Sequence, residues 1–199
     1  MPSQITAFQT NPNSITNHFQ LYSLFYIGGL YRKTNQYNRS IDYYQHAARI
    51  AKERSLTKEY GSLCDRLGQV NQDNKTYGQA ELNYVEALKT FVPPDVALKI
   101  FAPKGKQIDV LSMSLKEIKK WWKLPVDASM IIVENSEQFV LAAGVLYNLA
   151  SMYCEIGKLK QAESVLKRCI VSSKLSGGTS REQEKKMLVL LDMLIQERM

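Results

Sequence analysis

Apolar and small residues recur along this chain at spacings of three and four, and the same phase returns in three separate stretches. The chain reads LYSLFYIGGLYRKTNQYNRSIDYYQHAARI from Leu21, GSLCDRLGQVNQDNKTYGQAELNYVEALKT from Gly61 and AGVLYNLASMYCEIGKLKQAESVLKRCIVS from Ala143. Residues three and four apart share a helix face, so each stretch predicts two helices. In the first, Ile27–Gly28 and Tyr31 share a face of the leading helix, and Ser40, Tyr44 and Ala47–Ala48 share a face of the following one. The second stretch has Leu67–Gly68, then Ala80, Tyr84 and Ala87–Leu88. The third has Leu149–Ala150 and Tyr153, then Ala162, Leu166 and Cys169–Ile170. Small residues let helix backbones approach, and large ones fill the grooves between hairpins. One hairpin cannot bury such a face alone, so the repetition predicts an all-α solenoid of stacked helical hairpins.

This Leu-Gly…Tyr…Ala…Tyr…Ala register resembles the tetratricopeptide family, over roughly half the chain. The resemblance implies a right-handed α-solenoid. There are departures: Leu24, Cys64 and Leu146 stand where the family has an aromatic, Asn71 replaces a tyrosine, and Lys52 and Lys174 replace the proline that closes a repeat. The offset from Leu21 to Gly61 exceeds the usual period of about 34 residues. The added stretch IAKERSLTKEY lengthens the second helix of one copy and the first helix of the next. That longer period is similar to the repeats of kinesin light chain, spindle-orientation scaffolds and bacterial peptide-pheromone receptors, which bind peptides along the concave face.

The stretch 93–135 breaks the repeat. Pro93-Pro94 ends a helix. Further on, Ile108, Leu111, Leu115, Ile118 and Trp122 form one apolar stripe, with Lys116, Lys119, Lys120 and Lys123 off it and Pro125 as a stop. An inserted amphipathic helix is expected, packed on the solenoid with solvated lysines. The alternative makes it a docking element for an acidic partner, an anionic membrane or nucleic acid. SMIIVEN, from Ser129, reads equally as a strand or a helix start. Inserted at this point, the segment is expected to disturb the geometry between the second and third copies. At the C-terminus, Met187, Leu190, Leu191, Leu194 and Ile195 predict a helix that caps the last exposed core, the alternative being a dimerisation helix. The expected organisation is a flexible tail at 1–16, two repeats at 17–92, the basic insert at 93–135, a third repeat at 136–175 and the capping helix at 179–199.

Composition excludes several function classes. The start is polar, without the apolar core of a secretory signal, and no apolar run approaches the roughly 20 residues a membrane span needs. Three cysteines and no Cys-x-x-Cys fit a reducing compartment, the cytoplasm or else the nucleus. His18 and His46, the two histidines, have no ligand-spaced partner, so neither a metal nor a cofactor is expected. Gly28-Gly29 lacks the Lys-Ser/Thr of a phosphate loop. Glu59, Asp65, Asp73 and Glu81 are scattered carboxylates without an apolar pocket to prime one for acid catalysis. The reading is not an enzyme.

The resemblance places a binding groove on the leading helices. Its lining would be Tyr22, Phe25, Gly29, Arg32 and Lys33 from the first copy, Ser62, Asp65, Arg66, Gln69 and Gln72 from the second, and Tyr147, Asn148 and Ser151 from the third. Amides suit an extended ligand because they both donate and accept. The family's clamp for acidic chaperone tails needs Lys, Asn, Asn, Lys and Arg, and those places hold Phe25, Gly29, Arg66, Gly144 and Asn148; such tails are disfavoured. The expected function is a non-catalytic adaptor or assembly subunit that binds a peptide or helix. The alternatives are a basic module contacting nucleic acid or anionic lipid through the insert (net charge +7), and a peptide-responsive regulator.

Overall fold

The computed structural model describes residues 12–91 and 136–175, together with 189, 190, 193 and 196. All described elements are helices: α1 (Pro12–Lys33), α2 (Tyr37–Glu53), α3 (Thr57–Asp73), α4 (Tyr77–Phe91), α5 (Ser136–Glu155) and α6 (Leu159–Leu175). They pair as α1/α2, α3/α4 and α5/α6, and each hairpin packs on the next. This is the all-α solenoid that the periodicity predicts. α1 opens at Pro12, within the stretch read as a tail, and proline suits a first helical position because its missing N–H has no partner there anyway. The insert, with Lys116, Lys119, Lys120 and Lys123, lies outside the described residues.

One turn design joins the helices. Three residues separate them, and the middle one is left-handed: Asn35 (φ 58°), Lys75 (φ 62°) and Gly157 (φ 71°) within the hairpins, and Ser55 (φ 56°) between α2 and α3. The residue after it returns an amide to the preceding helix: Gln36 to Tyr31 (2.9 Å), Leu56 to Ala51 (2.9 Å), Thr76 to Asn71 (2.8 Å) and Lys158 to Tyr153 (2.8 Å). These bonds satisfy carbonyls that a helix end leaves open. IAKERSLTKEY thus closes α2 and opens α3, each 17 residues long. Asn71, the departure from tyrosine, is buried and fastens its turn, donating to the Leu67 carbonyl (2.8 Å) and accepting from the Thr76 hydroxyl (2.8 Å).

Small–large pairs hold each hairpin shut. A methyl at Gly28 would sit 2.9 Å from the Tyr44 ring, and one at Gly68 2.5 Å from Tyr84. The third hairpin puts Ala150 and Leu166, both fully buried, at these positions. The Ser40 hydroxyl adds a buried bond to the Gly28 carbonyl (2.8 Å). Buried residues also pack from one hairpin to the next, in two clusters. Leu63, Leu67 and Val70 of α3 cluster with Ala47, Ile50 and Ala51 of α2. Tyr84, Leu88 and Phe91 of α4 cluster with Ala142, Val145, Leu149 and Met152 of α5. The expected disturbance before the third copy is therefore absent, because α5 stacks on α4 as α3 stacks on α2. Of the C-terminal stripe, Leu190 packs against this core; Val189 and Met193 are exposed, and Met187, Leu191, Leu194 and Ile195 lie outside the described residues.

Candidate functional site

The leading helices α1, α3 and α5 stand side by side, and two rows of side-chain contacts run across them in a constant register. In the first row the Arg66 guanidinium lies over the Phe25 ring, 5.7 Å from its centroid, and Asn148 donates to Asp65 (2.9 Å). In the second, Arg32 Nε donates to Asp73 (2.6 Å) and Gln72 donates to Glu155 (3.0 Å). Each row joins a residue of one leading helix to the residue one position further along in the next. Repeating helices with a fixed offset make this automatic: residues of one register position meet the same neighbours at each junction.

Gln69 connects the rows. Its carbonyl oxygen accepts from Arg32 (2.5 Å) and Arg66 (3.1 Å), while its amide donates to Asp65 (2.7 Å). Asp73, Arg32, Gln69, Asp65 and Asn148 thus form one half-buried polar line over three helices. Burial pushes the Asp65 carboxyl above its ordinary value, opposed by the bonds from Asn148 and Gln69 and by the charges of Arg66 and Arg32. In the second row, Glu155 also takes Lys75 and the Tyr77 hydroxyl (3.0 Å). The bond from Lys75 is the main reason that its carboxyl is held below the usual range. A second buried pair, the Tyr153 hydroxyl on Glu81, ties α5 to α4, and burial raises that hydroxyl.

Of the residues read as groove lining, the structure brings Phe25, Arg32, Asp65, Arg66, Gln69, Gln72 and Asn148 into this connected surface. Tyr22 and Lys33 stand exposed on α1. Tyr147 packs partly on the core, and Ser151 is half-buried. Three residues of this surface escape the sequence reading of the groove: Asp73, which accepts from Arg32, and Tyr26 and Glu155. Tyr26, 69% exposed, occupies on α1 the register of Arg66 and Asn148. Its ring meets Phe25 edge-on (6.0 Å). Glu155 occupies the register of Asp73. Comparing the three leading helices position by position reveals these last two.

Among the described residues no three His, Cys, Asp or Glu side chains stand together to hold a metal ion, and no helix is long and apolar enough to cross a membrane. Cys64 and Cys169 are buried, and desolvation pushes both thiols up to about 12. A family model described as tetratricopeptide repeat matches residues 23–57 and 145–178, the first and third hairpins. No curated protein matches the chain significantly.

Proposed function

With tetratricopeptide repeats at its first and third hairpins, the chain belongs to that family, and we propose that it is a non-catalytic interaction module that holds a segment of a partner protein against α1, α3 and α5. The observation that carries this reading is the polar line Arg32–Gln69–Asp65–Asn148, contributed by three helices and bordered on α1 by Tyr22, Phe25 and Tyr26. Half-buried amides and guanidinium groups present fixed donors and acceptors, which suits a main chain laid across them. The aromatic border supplies the kind of side chain that anchors interfaces.

Selection of peptides from a displayed random library against the full chain tests the proposal. Arg66→Ala and Gln69→Ala should each weaken the selected peptides at least tenfold, with the melting temperature of the free protein reported alongside. Peptides indifferent to both substitutions would dismiss the groove. Binding that collapses with rising salt and needs Lys116, Lys119, Lys120 and Lys123 would instead favour the nucleic-acid or lipid reading.

A further inference from the structure

The two amides that hold Asp65 are not equally free. Gln69 cannot turn over, because its oxygen accepts from two guanidinium groups, Arg32 (2.5 Å) and Arg66 (3.1 Å). Its NH2 must therefore face Asp65, 2.7 Å from Oδ2. Asn148 donates to the other carboxylate oxygen, Oδ1, at 2.9 Å. Among the described residues its amide makes no other hydrogen bond, so Asp65 alone sets which way it faces. An ionised carboxylate only accepts. It holds the Asn148 NH2 toward itself and leaves the Asn148 oxygen turned away, on the groove side.

A proton on Asp65 changes this. With Oδ2 taken by Gln69, the proton belongs on Oδ1, where its O–H would meet the Asn148 NH2 donor to donor. Leaving both donors unbonded in a half-buried place is costly. Half a turn of the Asn148 amide removes the conflict: its oxygen accepts from the new O–H, and its NH2 turns to the groove. One N–H···O bond is exchanged for one O–H···O bond. The junction between the first two hairpins has no counterpart, since Arg66 over Phe25 holds no group that titrates.

The surroundings bring that proton within reach. Burial is the largest effect on Asp65 and raises its carboxyl, against the bonds from Asn148 and Gln69 and the charges of Arg66 on α3 and Arg32 on α1. Both arginines stay charged throughout, and Arg32 is engaged with Asp73 (2.6 Å). Cys64 and Tyr84 of α4, which feel the Asp65 charge, are raised by burial, the thiol to about 12. Tyr44 of α2, which feels the same two arginines, is raised as well. These three keep their protons in acid and neutral solution. On α5, Glu155 is held low, chiefly by its bond from Lys75.

We propose that protonation of Asp65 inverts the Asn148 amide, so that the groove offers an acceptor at this place in neutral solution and a donor in acid. This rests on the reading of α1, α3 and α5 as a binding groove and adds its regulation. A partner whose main chain donates to Asn148 is held at neutral pH and released on acidification.

Nuclear magnetic resonance of the free, isotope-labelled full-length chain tests the inversion without a ligand. As pH falls, the Asp65 carboxyl carbon and the Asn148 side-chain amide should titrate together, with a midpoint above that of an ordinary aspartate. In Asp65→Asn the introduced oxygen must face Gln69, so an NH2 faces Asn148 at every pH. Its Asn148 amide should hold the acid position and not titrate; should that variant fail to fold, the wild-type titration decides alone. An Asn148 amide that stays put while Asp65 titrates would overturn the proposal, as would Asp65→Asn with Asn148 in its neutral position. The effect on binding is read with displayed peptides free of Asp, Glu and His, selected at pH 7. Asp65→Asn should weaken them at least tenfold and abolish their pH dependence. Peptides that need Gln69 yet ignore both pH and Asp65→Asn would overturn the regulation while the groove reading stands. A library that yields no Gln69-dependent peptide would remove the groove reading, with the inversion still decided on the free chain.

Discussion

Asn148 donates to Asp65 over 2.9 Å at a sequence separation of 83, in the same register as Arg66 over Phe25 at a separation of 41. Arg32 with Asp73 and Gln72 with Glu155 repeat the relation at separations of 41 and 83. The insertion adds length to the chain between α4 and α5 without moving α5 from the place a third repeat takes. Long loops permit this because closure entropy grows only slowly with length. The polar rows and the α4–α5 core replace the short turn that positions α3 on α2.

The contact of Gly68 with Tyr84 predicts a change of sign. Alanine is favoured over glycine within a helix by roughly 1 kcal/mol. Here the added methyl meets a fully buried ring at 2.5 Å, and overpacking of that kind costs about 1–3 kcal/mol. Gly68→Ala alone should lower stability. In a Tyr84→Leu background, which reproduces the Ala150/Leu166 pair of the third hairpin, the same substitution should be neutral or stabilising. Urea unfolding of the four proteins measures it; a simple sum of effects would show that the ring and the glycine are independent.

The junction between the second and third hairpins holds two carboxylates with opposite linkage to pH. Glu155 is held below its ordinary value, so its contribution is present above that value and lost as pH falls through the lowered one. Asp65 is held above its ordinary value, so its contribution is present at low pH and lost as pH rises through the raised one. Each masks the other. Glu155→Gln should leave the Asp65 dependence exposed, and the stability gap between wild type and variant should widen from pH 3 to pH 6. A gap that stays constant would show that the Lys75, Gln72 and Tyr77 bonds to Glu155 carry no net linkage.

The thiols should separate by burial. Cys64 and Cys169 lie in the core with ionisation pushed up to about 12, whereas Cys154 is half-buried. Thiolate is the reactive form. At pH 8 a disulfide reagent should therefore titrate one thiol per native chain, and mass spectrometry should locate it at Cys154. The other two should react at the rate of unfolding. Fast modification of Cys169 would mean that the third hairpin opens away from the stack.

The helices and their pairing were legible in the sequence because one constraint, the small–large alternation of Gly28/Tyr44 and Gly68/Tyr84, governs both local periodicity and packing. The residues read as lining a groove could be assigned to faces of the leading helices from their spacing. Their partners could not, since register within a repeat leaves open the one-position offset that sets Phe25 against Arg66 and Asp65 against Asn148. Tyr26 was missed because its sisters are polar, so no apolar pattern marks its place. The disturbance expected from the insert failed for a physical reason: the faces of α4 and α5 specify their contact through Leu88, Phe91, Leu149 and Met152, whatever length of chain joins them.

That independence can be tested by excision. The segment Lys-Glu-Arg-Ser-Leu at 52–56 joins α2 to α3 across the Ser55 turn. Put in place of residues 92–138, it restores the offset of the first junction and places Asn148 opposite Asp65. Shortening the connection removes closure entropy on the order of 2 kcal/mol, so the shortened chain should melt at or above the temperature of the full one. Its Asp65 and Asn148 side-chain resonances should keep their positions. A chain that melts lower and binds a hydrophobic dye would show that the apolar stripe of Ile108, Leu115 and Trp122 covers core that α4 and α5 do not bury on their own.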